Sequence, residues 1–134
     1  MRVVIDTNVF ISGFFWKGNF CARIIDGWKK RKFELVSSME IIEELVETLN
    51  KFRIPMPQYT IQEWVDDILE NAIIVEPVER INAIKNDPDD NKFIEAAIAG
   101  RADYLISQDK HLLRLKNHEN VKILMPEEFL EIIQ

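Results

Sequence analysis

An α/β fold with a mainly parallel sheet is what this sequence predicts, and three observations carry that expectation. Five short runs rich in Val, Ile or Leu recur along the chain, each too short for a helix. They read as strands buried on both faces. Between them lie segments whose apolar residues repeat at helical spacing. Strands alternating with helices argue for a parallel sheet covered on both sides.

The elements follow in order. Val3–Ile5 is the first strand, and Phe10, Phe14, Phe15 and Trp16 lie on the helix expected after it, suited to core packing or a dimer surface. Phe33–Val36 is the second strand. Ser37 and Ser38 then suit the cap of a helix from Met39 to Leu49, where Ile42, Leu45, Val46 and Leu49 share a face. "FRIPMPQYT" is a turn into a helix from Thr60 to Asn71, which leads to a third strand at Ala72–Val75. In "DPDDNKFIEAAIAG", Asp87 is a cap candidate, Pro88 fits a first helical position and Gly100 marks the far end. Tyr104–Ile106 and Val121–Leu124 are the last two strands. "MPEEFLEII" closes the chain as a helix with Pro126 and two acids in its first turn.

The chain has 134 residues, of which 47% are hydrophobic and 30% charged, as expected of one globular domain spanning 1–134. No apolar run approaches the roughly 18 residues of a membrane span, no signal-peptide pattern opens the chain, and Cys21 is the only cysteine. These features fit a cytoplasmic protein. Seventeen Lys and Arg against 23 Asp and Glu give a net charge of −6, which repels a polyanion. A nucleic-acid partner therefore needs local basic patches or bound metal ions.

The acids raise the functional question. Asp6 ends the first strand and Asp109 follows the fourth, so both stand at the carboxyl edge of a parallel sheet, where functional groups gather. Each can equally cap the helix that follows it. "DPDD" crowds three acids into four residues, more than capping needs, and a cation between them would relieve the repulsion. Asp90, about one turn into the expected helix, is the metal-ligand candidate there, with capping alone as the rival reading. Glu44 falls away from the apolar stripe of its helix, toward what is ordinarily a solvated face, and periodicity cannot select it.

"VVIDTNVFIS", "VSSMEIIEELVETL", "DPDDNKFIEAAIAGRADYLISQDKHLL" and "ILMPEEFLEII" together resemble the PIN-domain ribonucleases, most closely the VapC-like toxins of toxin–antitoxin pairs. The resemblance covers nearly the whole chain in the expected order. It implies a three-layer fold with a central, mainly parallel sheet of about five strands flanked by helices. It also implies a pocket in which Asp6, Glu44, Asp90 and Asp109 bind Mg2+ or Mn2+ and catalyse RNA hydrolysis, with Asp87 and Asn91 close enough to share the role of Asp90. Asn8 and Ser107 match supporting polar positions. A homodimer and a cognate antitoxin are the implied partners.

Such chemistry answers the charge problem, because each metal ion brings two positive charges to the phosphate. Lys110 and Arg114, just beyond Asp109, are the candidate RNA contacts, followed by Lys116. "KKRK" at 29–32 can equally be a helix end favoured by the dipole. His111 and His118 lack a pairing pattern for zinc or a triad and read as surface residues. Two other Mg2+-dependent phosphoryl-transfer classes fit less well. A dehalogenase-type site needs an Asp where Asn8 stands, and a receiver needs an Asp closing a strand that here ends in serines. The remaining alternative is a non-catalytic RNA- or protein-binding module on the same fold.

Overall fold

All five predicted runs contribute to one sheet, and the sheet carries one strand more. In chain order the strands are β1 (Arg2–Ile5), β2 (Glu34–Ser38), β3 (Ile73–Val75), β4 (Tyr104–Ile106), β5 (Asn117–His118) and β6 (Val121–Leu124). The helices are α1 (Thr7–Phe15), α2 (Phe20–Lys29), α3 (Met39–Lys51), α4 (Gln58–Asn71), α5 (Asn91–Ala99), α6 (Lys110–Leu115) and α7 (Pro126–Ile133). The computed structural model describes residues 1–84 and 88–134.

Where about five strands are expected the sheet has six, the extra one being short. β5 is a two-residue polar strand that pairs antiparallel with β6, Asn117 opposite Lys122 and His118 opposite Val121. Nothing apolar or periodic announces it. Every other pairing is parallel, in the order β3-β2-β1-β4-β6-β5. The chain builds outward from β1 through β2 to β3, then crosses back to lay β4 on the other side of β1. The strand order therefore reverses between β1 and β4, and a crevice opens outside the carboxyl ends of the strands at such a point.

Alternation along the strands creates the layers. Val3, Ile5, Leu35 and Ile106 join Ile24, Leu45, Ile68 and Phe129 in one core. Val4, Val36 and Leu105 point the other way, into a second core with Phe93, Ile94, Ala97 and Leu112. Both faces of the sheet are covered, as runs without polar alternation require. Of the aromatic residues after the first strand, Phe10, Phe14 and Phe15 settle into or against the first core, whereas Trp16 is exposed. Phe10 is buried, Phe14 stacks on Trp64 with ring centroids 4.1 Å apart, and Phe15 stacks on Phe52 at 4.8 Å.

The "DPDD" segment differs from its expected form. Pro88–Asp90 is a turn of 3-10 helix, and α5 begins only at Asn91. Asp90 thus stands at the helix boundary rather than one turn inside it, and the cap assigned to Asp87 lies outside the described residues. A proline fits the tighter turn as readily as a first α-helical position, because only its φ is fixed.

Gly100 does end α5, but with φ −90° and ψ 0°, outside the left-handed region. Space is what it supplies. A Cβ there would lie 2.4 Å from Val36 Cγ1 and 3.2 Å from both Val36 Cγ2 and the Ala96 carbonyl. Val36 is buried and stiff at χ1, so it cannot swing aside cheaply. Gly100→Ala is expected to destabilise the chain by about 1–3 kcal/mol through overpacking. Urea denaturation should show that loss shrinking in a Val36→Ala background, where the clashing methyl groups are gone.

Candidate functional site

The residue after β1 and the residue after β4 meet at the reversal in strand order. Register places Ile5 beside Ile106, so Asp6 and Ser107 emerge as neighbours. The Asp6 amide donates to the Ile106 carbonyl at 3.1 Å, and the Ser107 amide donates to the Leu124 carbonyl at 3.0 Å. Both residues are buried, Asp6 at 3% exposure. The Ser107 hydroxyl donates to Asp6 Oδ2 and accepts from the Asp109 amide at 2.9 Å. One hydroxyl therefore fixes two acids relative to each other.

Asp6 and Asp109 are also helix caps. The Val9 amide donates to Asp6 Oδ1 at 3.0 Å at the start of α1. The His111 and Leu112 amides donate to Asp109 Oδ1 at 2.7 and 3.3 Å at the start of α6. Capping and site membership are thus compatible, since each carboxylate has several acceptor positions.

Asp6, Asn8, Glu44, Asp90 and Asp109 line one cleft of about 190 Å3, together with Thr7, Thr48, Asp89 and Phe93. Four acids brought from β1, α3, the turn before α5 and the loop after β4 converge there, and Asp89 adds a fifth. Glu44 overturns the reading of a solvated face. The Thr7 hydroxyl donates to its Oε2, and the Lys92 ammonium lies 2.7 Å from its Oε1. The apolar stripe of α3 faces the sheet, and the next face round turns toward α5 rather than to water. Thr7 and Lys92 were not singled out in the sequence. Neither has a local signal, because both act across elements distant in the chain.

Other candidates fall elsewhere. Asn91 does not face the acids as a ligand. Its side-chain carbonyl accepts from the Ala83 and Ile84 amides at 3.1 and 2.8 Å, and its amide donates to the Ile84 carbonyl at 3.1 Å. Glu95 completes that clamp, accepting from the Ile81 amide at 2.9 Å and pairing with Arg80 at 3.0 Å. Lys110 and Arg114 are exposed but do not line the acid cleft. His111 and His118 are half-buried rather than surface residues, and His111 Nδ1 is buried without a hydrogen-bond partner among the described residues.

The donors in the cleft are oxygens, mostly carboxylate, which suits a hard cation such as Mg2+ or Mn2+. Among the described residues, no three of these acids stand close enough to form a finished metal cluster. Burial pushes the Asp6 carboxyl up to about 6, against the hydrogen bonds from Ser107 and Val9, and the charge of Asp109 acts in the same upward direction. Asp6 is therefore held as an anion at neutral pH at some cost to the fold.

That cost has a sign and a pH window. An unfolded aspartate titrates near 3.9, whereas folded Asp6 titrates at about 6. Between those values the folded chain keeps a proton that the unfolded chain has released. The Asp6 contribution to stability therefore falls as pH rises through this window and stays lowered above it. In EDTA, Asp6→Asn should be more stable than the wild type at pH 8 by roughly 1–3 kcal/mol and nearly equal to it at pH 4, by urea denaturation.

A family model described as "PIN domain" matches residues 2–111. An uncharacterised protein of Methanocaldococcus jannaschii is 30% identical over 144 residues, with 98% of this chain and 90% of the relative covered. VapBC2 from Rickettsia felis, solved bound to a DNA fragment from its promoter, superposes with a TM-score of 0.63 at 14% identity, over 93% of this chain and 98% of that one. FitAcB from Neisseria gonorrhoeae does so at 0.56 and 13% identity, over 93% and 98%. These structures share the fold, and no helix among the described residues is long and apolar enough to cross a membrane. By the family match, which spans most of its length, this chain belongs to the PIN-domain family.

Proposed function

We propose that this chain is a ribonuclease that hydrolyses RNA phosphodiester bonds with Mg2+ or Mn2+, and the toxin of a toxin–antitoxin pair. The observation that carries the reading is the single cleft lined by Asp6, Glu44, Asp90 and Asp109 at the carboxyl edge of the sheet. Nuclease function on this family's fold, and the likeness to VapBC2 and FitAcB, support the toxin role and a protein antitoxin, and a homodimer completes the same proposal. RNA is the substrate because the resemblance is to ribonucleases.

The residues divide the work. Asp6 and Asp109 offer carboxylates whose orientation is fixed by Ser107 and by the first turns of α1 and α6. Asp90 approaches from the turn before α5, and Asn8 also lines the cleft. These groups would hold a divalent ion, whose chemistry when bound is to make water a stronger nucleophile and to offset charge on the leaving 3′ oxygen. Ser107 keeps Asp6 and Asp109 at a fixed separation, and burial of Asp6 keeps bulk water from competing for its oxygens. Glu44 completes the acidic wall, held by Thr7 and Lys92.

A second reading, a non-catalytic RNA- or protein-binding module, is favoured by one observation: the acids stand apart and are engaged by protein donors. One assay separates the two. Purified chain incubated with structured RNA should cut in Mn2+ or Mg2+ and not in EDTA, and Asp6→Asn, Asp90→Asn and Asp109→Asn should each lose at least about 100-fold, the scale of one main catalytic group. Equal cutting by all variants would overturn the proposal, and no cutting with any RNA would favour the binding module.

A further inference from the structure

Lys92 carries an inference that goes beyond the set of acids and rests on the metal-dependent reading of the same cleft. Its side chain is only 14% exposed, and its ammonium lies 2.7 Å from Glu44 Oε1. Thr7 holds the other Glu44 oxygen. The backbone that presents Lys92 is rigid. Asn91 before it is tied to the 83–84 backbone, and Phe93 after it is buried in the second core. The lysine cannot simply withdraw to solvent, because leaving Glu44 would strand a half-buried carboxylate beside Asp89 and Asp90.

We propose that Lys92 is the built-in second cation of the site. Its ammonium neutralises Glu44 and keeps a second divalent ion out, so the cleft takes one ion, on the side of Asp6, Asp90 and Asp109. An ion ligated by Glu44 would sit in contact range of a fixed positive charge, and that repulsion is strong where water is scarce. Mg2+ needs only one or two carboxylates beside water and phosphate oxygens, so three acids suffice without Glu44. Lys92 stands behind Glu44, outside the residues that line the cleft, and from there it offsets part of the negative potential that a second metal would otherwise offset. In this arrangement Glu44 is a positioning residue: it acts by holding Lys92.

Mn2+ calorimetry on the full chain tests the assignment. Wild type and Lys92→Arg should each bind one Mn2+ per chain, and Lys92→Met should bind two. Glu44→Gln should keep one ion with affinity within about threefold of wild type while cleavage drops at least tenfold. That split distinguishes a positioning role from metal ligation, and it stands even if Lys92→Met fails to fold. Two ions on the wild type, one unchanged ion on folded Lys92→Met, or a more than tenfold affinity loss in Glu44→Gln would each overturn it. Absence of Mn2+ binding in the wild type, or binding equal in Asp6→Asn, would instead overturn the metal reading on which the inference rests.

Discussion

The bond from the Ser107 hydroxyl to the buried Asp6 carboxylate is the constraint on which the site depends. It exists because β1 and β4 are parallel neighbours whose ends fall in register at the place where strand order reverses. A carboxylate buried there has few ways to be tolerated. Asp6 receives Val9 at a helix start and Ser107 from the next strand, yet burial still outweighs both and raises its proton affinity. The fold thus carries a charge it would be more stable without, and this is the usual mark of a group kept for function.

From that centre the rest of the cleft is assembled by rigid elements. Two cores on opposite faces of the sheet hold α1 and α3 on one side and α5 and α6 on the other. The acids arrive from both sides, so no single helix sets their spacing. Gly100 lets α5 lie against Val36 closely, and Asn91 and Glu95 bind the 80–84 segment to the same helix. Errors in that packing would move Asp90 and Lys92 together relative to Asp6. Lys92 is the least expected neighbour of the cleft: a largely buried cation paired with Glu44 in a chain of net charge −6.

Much of this was legible in the sequence because strand ends are local signals. "VVID" and "YLISQD" show an acid beyond a buried run, and parallel order places both at one edge. The sheet's sixth strand was not legible, since Asn117 and His118 owe their pairing to the β6 hairpin rather than to apolar pattern. Glu44 was reachable only through resemblance. Its burial depends on α5 packing beside α3, a contact between segments nearly fifty residues apart that periodicity cannot encode. The resemblance left Asn91 as a residue that could share the role of Asp90, whereas the fold spends its side chain on the 83–84 backbone, a long-range contact with no local signal. The start of α5 was misplaced because proline serves a 3-10 turn and a first helical position equally well.

The central claim is that Asp6 is kept charged and buried in order to bind a cation. Thermal melting of the wild type and Asp6→Asn, each in Mn2+ and in EDTA at pH 8, tests it most directly. A ligand that binds only the folded chain raises its stability by mass action. The account predicts that Mn2+ raises the wild-type midpoint by several degrees and leaves Asp6→Asn where EDTA leaves it. An equal rise in both proteins, or none in the wild type, would contradict it.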